Sequence, residues 1–153
     1  MIRGKYMSYA EKAKKIFEEG YNCSQAVFSA FSDIMNIDEE TAKRISTGLG
    51  GGVGRMREVC GAVSGAAMVL GFVYGGENGE DKKSAYEKVQ EFAEVFKKDE
   101  GSIICREILG LDKKKRESAT PDERTAEYYR VRPCAEKVYE AARIVEEMLK
   151  DTK

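Results

Sequence analysis

Apolar residues recur along this chain three and four positions apart, the spacing that gathers them on one face of an α-helix. Over residues 8–19 the stripe is Tyr9, Ala13, Ile16 and Phe17. Ser8 stands before it, Glu11 follows three residues later, and Gly20 closes it, which predicts a capping box and a glycine stop. Asn22 reads as the cap of a second helix through residue 35, with Ala26, Val27, Ala30, Phe31 and Ile34 facing inward. Asp38 caps a third, which ends at Gly48. Residues 55–74 are small and apolar all round, which predicts a central helix buried on every side. Within it Gly61 and Gly65 lie one above the other, where a second backbone can approach closely.

Residues 75–81, "GGENGED", read as an exposed turn. An amphipathic helix follows, with Tyr86, Val89, Phe92, Ala93 and Phe96 as its buried stripe. "SIICREILG" is a short helix capped by Ser102 and closed by Gly110. Residues 113–124 are charged and polar and read as a mobile connection. Arg132, Pro133 and Cys134 open a last helix to about residue 149, with Val138, Ala142, Val145 and Leu149 as core. No two runs alternate with period two for long enough to predict a sheet. The expectation is a single all-α domain over residues 1–153, a bundle of six or seven helices around the small-residue central helix.

Charge removes several classes of function. With 26 basic and 27 acidic residues the net charge is −1, which gives no field for nucleic acid or an anionic membrane. The longest apolar stretch, residues 59–74, is broken by glycines and a serine and falls short of the roughly 20 residues that span a bilayer. The N-terminus "MIRGKYMSYAEKAKK" has no apolar signal region, so a cytoplasmic protein is expected. Histidine is absent, which excludes an imidazole base, an imidazole metal ligand and a Ser-His-Asp triad.

Four cysteines remain as candidate chemistry: Cys23, Cys60, Cys105 and Cys134. A reducing compartment argues against structural disulfides and leaves metal, redox chemistry or simple burial. No C-x-x-C is present, so neither a zinc knuckle nor a thioredoxin-type motif is encoded locally. Their placement says more. Cys23 follows the Asn22 cap, Cys134 follows Pro133, Cys60 follows the glycine run "GLGGGVG", and Cys105 follows Ser102. Each therefore falls near a helix start, where free N–H groups and a partial positive charge favour thiolate. Arg57, Arg106, Arg130 and Arg132 stand near three of the four.

These residues carry a resemblance. "YNCSQAV", "GLGGGVGRMREVCGAVSGAAMVLG", the isolated Cys105 and "RPCAEKVYEAA" resemble a family of redox-active proteins named for its C…GCAxxG…C…C pattern. The likeness runs from about residue 21 to 142. One departure is visible: Glu58 and Val59 precede Cys60 where the family writes glycine, and "GCA" appears here as Cys-Gly-Ala. The resemblance implies a redox-active four-cysteine centre, with Gly61, Ala62, Gly65, Arg57 and Arg132 around it.

Two redox readings stay open. In one the four thiolates hold an iron–sulfur or other metal cluster for electron transfer, working with a redox partner protein. In the other two thiols cycle through a disulfide without metal. Outside redox chemistry stand a phosphate-binding role for the glycine run with Arg55 and Arg57, and a helical binding module with inert cysteines. The phosphate reading lacks the preceding strand and the Lys-Ser/Thr that such loops use. For a binding module, Tyr128, Tyr129 and the basic run 113–116 are candidate contacts. Homo-oligomerisation is left open.

Overall fold

The computed structural model describes residues 7–77, 81–111 and 117–151. Among them are nine α-helices: α1 (Tyr9–Glu18), α2 (Cys23–Ala30), α3 (Ser32–Met35), α4 (Glu39–Ser46), α5 (Gly61–Gly75), α6 (Lys82–Glu100), α7 (Cys105–Leu109), α8 (Ala126–Val131) and α9 (Cys134–Lys150). No sheet forms among the described residues, and a single antiparallel bridge joins Val59 to Ile104. The all-α expectation holds, with two more helices than the upper count. The turn at 75–81 lies partly, and the basic run 113–116 wholly, outside the described residues.

Local chemistry sets the helix starts. Ser8 accepts from the Glu11 N–H while the Glu11 carboxylate accepts from the Ser8 N–H. Asn22 and Gln25 make the same reciprocal pair at α2. The Asn22 amide also donates to the Thr47 carbonyl and the Gln25 amide to the Lys43 carbonyl, tying the start of α2 to the end of α4. Asp38 caps α4 by accepting from the Thr41 N–H. Each cap satisfies donors that a helix start leaves free.

The core lies between α1, α2, α5, α6 and α9, with Phe17, Phe31, Phe92 and Phe96 fully buried. Two helices share the centre: α2 packs on α1, α4, α5 and α9, and α5 packs on α2, α6 and α9. Small residues permit the α2–α5 crossing. A β-carbon built at Gly65 would stand 3.0 Å from the Ser24 carbonyl oxygen, and one at Gly61 would stand 3.1 Å from the Ser24 nitrogen.

Four expectations need correction. The central helix starts at Gly61, because residues 55–60 form an irregular segment in which Arg55 and Arg57 take left-handed backbone angles. It is buried on every side only in its first half; Phe72 is 56% exposed. The second helix breaks at Phe31 (φ −102°, ψ 16°), so Ile34 turns outward. In α6 the buried face takes Ala85 and leaves Tyr86 exposed. No helix among the described residues is long and apolar enough to cross a membrane.

Candidate functional site

A cavity of about 380 Å³ lies where the starts of α2, α5, α7 and α9 meet, and all four cysteines line it. Cys23, Cys105 and Cys134 are the first residues of α2, α7 and α9, and Cys60 is the residue before α5. The helix-start placement read from the sequence is therefore the observed one, and the helices aim at a common space.

Two different devices bring the thiols there. The Val59–Ile104 bridge seats one pair: the Cys60 N–H donates to the Ile103 carbonyl at 2.8 Å and the Cys105 N–H to the Glu58 carbonyl at 2.7 Å. Residues two apart along a strand share a face, so this pairing turns Cys60 and Cys105 to the same side. The glycine run then presses on Cys105. At Gly52, with φ +72°, a β-carbon would lie 2.7 Å from the Cys105 β-carbon and 2.6 Å from the Glu58 nitrogen. Only glycine accommodates both the backbone angle and the contact. The other pair comes from helix ends. The Cys23 thiol, at the start of α2, is a hydrogen-bond partner of the Cys134 thiol at the start of α9.

Around the thiols stand arginines. The Arg57 side chain is 4% exposed, its Nη1 is 3.7 Å from the Cys105 Sγ, and its Nη2 pairs with Glu117 at 3.3 Å. Arg55 and Arg132 share the Asp122 carboxylate at 2.9 and 2.7 Å, and Arg55 also donates to the Ser118 carbonyl. Arg124 donates to the Phe17 carbonyl at 3.0 Å and the Tyr21 carbonyl at 2.9 Å, with its guanidinium over the Phe17 and Tyr128 rings. Residues 117–124 are thus fixed as a wall of the cavity, where a mobile connection was expected. Ion pairs and carbonyl bonds hold that segment, and no apolar pattern announces it.

The four thiols separate chemically. Cys134 is held down at about 7, first because Cys23 donates a hydrogen bond to its sulfur, then through Arg132, Arg57 and Arg124. Cys23 is driven up as the donor in that bond and by burial. Burial pushes Cys60 to about 12 against the stabilising N–H groups of Ala62 and Val63. Cys105 is raised by burial, with Arg57 opposing.

This ordering predicts selective modification. With iodoacetamide at pH 7, Cys134 is expected to be alkylated first and Cys60 last, since the thiolate is the reacting form. The Cys134 rate should rise with pH through a midpoint near 7 and level off above about 8. Peptide mapping by mass spectrometry reads both; fastest modification at Cys60 would overturn the assignment.

Of the other sequence candidates, Gly61, Arg57 and Arg132 line the cavity. Ala62 contributes its N–H to Cys60, and Gly65 faces α2 in the packed crossing. Arg130 pairs with Glu127 on the surface. Tyr129 packs edge-on against Phe17 and Tyr128, and the Arg124 guanidinium stands over both tyrosine rings. The glycine run opens no helix directly, which removes the geometry of a phosphate loop. Sequence reasoning missed Arg124, Glu117 and Asp122. Most of their partners (Phe17, Tyr21, Arg55 and Arg57) are distant along the chain, and no local motif marks them.

The donor set suits a metal or an iron–sulfur cluster. Among the described residues no three Cys, Asp or Glu side chains stand together as a group that could hold one metal ion.

The fold and site define a small all-α protein with four thiols on one arginine-walled cavity. The family described as "Putative redox-active protein (C_GCAxxG_C_C)" matches residues 21–148, and the chain belongs to it. No curated protein and no solved structure matches the chain.

Proposed function

We propose that this is a thiol–disulfide redox protein in which Cys134 is the attacking thiolate and Cys23 the resolving thiol. The observation that carries the reading is that Cys23 and Cys134 open two helices onto one cavity, with Arg57, Arg124 and Arg132 lining it beside them. In the first step the Cys134 thiolate attacks one sulfur of a small disulfide. A sulfur–sulfur bond forms to Cys134, and the departing thiolate takes up a proton. Cys23 then loses its proton and attacks the Cys134 sulfur, closing the protein disulfide and releasing the second thiolate, which leaves as thiol. The protein dithiol loses two electrons and the substrate disulfide gains them; run backward, the same steps reduce the protein. A reducing compartment such as the cytoplasm suits this cycle.

The test is oxidation of the reduced protein by 2-hydroxyethyl disulfide, followed by peptide mapping. A Cys23–Cys134 linkage is expected; linkage of another pair, or none, would overturn the proposal.

Four thiols on one cavity keep an iron–sulfur centre as the second reading. There the four cysteines would be ligands, and the cluster would supply one-electron chemistry. Anaerobic purification with an absorbance spectrum and metal analysis decides between them. Stoichiometric iron would replace the dithiol reading.

A further inference from the structure

We propose that the substrate of this site is a small disulfide or thiol bearing free carboxylates, and that Arg124 is the residue that binds the carboxylate. The inference rests on the dithiol reading above and adds the substrate class to it.

It comes from the charges on the cavity wall. Five cations line the space: Arg55, Arg57, Arg124, Arg132 and Lys137. Three carboxylates answer them. Asp122 serves Arg55 and Arg132, Glu117 serves Arg55 and Arg57, and Glu100 serves Lys137. The Cys134 thiolate offsets part of the excess. Arg124 has no carboxylate partner among the described residues. Its hydrogen bonds run to two main-chain carbonyls and the Tyr129 hydroxyl.

That frame has a function-like geometry. The Phe17 and Tyr21 carbonyls fix the orientation of the guanidinium, and the Phe17 and Tyr128 rings lie against it at 4.5 and 4.9 Å. A guanidinium fixed in this way keeps its charge, and the N–H groups not taken by the two carbonyls and the Tyr129 hydroxyl are left to meet an anion. Arg124 acts electrostatically on Cys134, so the anion site and the reacting sulfur belong to one space. The cavity has the size of a small-molecule site, too small for a folded partner to enter. Oxidation strengthens the preference. Closing the Cys23–Cys134 disulfide removes the thiolate, and the wall then holds its full excess of positive charge for an incoming anionic thiol.

The test compares three small disulfides of similar length on the reduced protein: dithiodipropionate, which is anionic, 2-hydroxyethyl disulfide, which is neutral, and cystamine, which is cationic. The readout is the rate of Cys23–Cys134 disulfide formation by acid quench and mass spectrometry. A free thiolate in water repels the anion and favours the cation. This site is expected to invert that order, with the anionic disulfide about tenfold faster than the neutral one and cystamine slowest. Raising salt to about 1 M should shrink the ratio, since screening then acts within about 3 Å. In Arg124→Gln the anion-to-neutral ratio is expected to fall to about one; using a ratio cancels any change in Cys134 reactivity. If that variant does not fold, the order among the three disulfides on the unmodified protein still decides. A neutral or cationic reagent reacting fastest overturns the substrate class alone. No Cys23–Cys134 disulfide from any of the three overturns the dithiol reading beneath it.

Discussion

Replacing Cys134 with serine is expected to slow oxidation of the reduced protein by a small disulfide at pH 7 about fiftyfold or more. The size follows from thiolate populations. A thiol held at about 7 is half ionised at neutral pH, whereas an ordinary cysteine is ionised only at the per cent level. None of the remaining sulfurs substitutes. Cys60 is pushed to about 12 and Cys105 is raised, both by burial. Cys23 is raised chiefly by its bond to Cys134, so removing that partner relaxes it toward the ordinary value while burial still opposes ionisation. Cys23→Ser should behave differently. The attacking sulfur remains, the serine hydroxyl can still donate to it, and the reaction stops at the mixed disulfide, visible as a stable mass increase of one reagent half. Cys60→Ala should react within about twofold of the unmodified protein, because that thiol takes no part. A Cys134→Ser variant that oxidises at the original rate would remove Cys134 from the mechanism.

The contrast between Cys23 and Cys134 also shows where sequence reading stops. Both are first residues of helices, so the argument from free N–H groups predicts a depressed pKa for each. They move in opposite directions because one donates to the other and because the arginines act on Cys134. Of those arginines Arg132 stands two residues before Cys134 and was legible, whereas Arg57 reaches it only through the fold. Features carried by neighbours along the chain were legible: the Ser8–Glu11 box, the Asn22 and Asp38 caps, the stripe through Ile16 and Phe17, and the proline before Cys134. Features carried by long-range pairing were not. Helix α8 is six residues with no buried side chain and left no apolar period to find. Ile34 was misplaced because a stripe read through Phe31 assumes an unbroken helix. A charged stretch such as 113–124 reads as a mobile connection because charged segments usually are solvated; here the carboxylates of 117–124 find Arg55, Arg57 and Arg132.

The largest stability effect is expected at the crossing of α2 and α5. Gly65→Leu should lower stability by about 3 kcal/mol or more, at or above the top of the usual range for overpacking. The reason is what the side chain would meet. A β-carbon at Gly65 already stands 3.0 Å from the Ser24 carbonyl oxygen, 3.1 Å from the Val27 β-carbon and 3.3 Å from the Phe28 nitrogen. Two of those atoms are main chain and cannot rotate away, so the three further carbons of leucine must push the helices apart. For a chain of this length such a loss lowers the melting temperature by about 10 °C. The displacement also reaches the site, because α2 carries Cys23 and Gly61 of α5 stands against the Cys23 side chain one turn earlier. Separating them weakens the Cys23–Cys134 contact, and the alkylation midpoint of Cys134 should move upward from about 7. Gly71 supplies the control within the same helix. Nothing lies within 4 Å of a β-carbon there, so Gly71→Ala should be neutral or gain up to about 1 kcal/mol from helix propensity alone. Thermal melts of the two variants decide the matter: near-original stability for Gly65→Leu would mean that the helices do not cross in contact, and that the small residues after Cys60 are there for another reason.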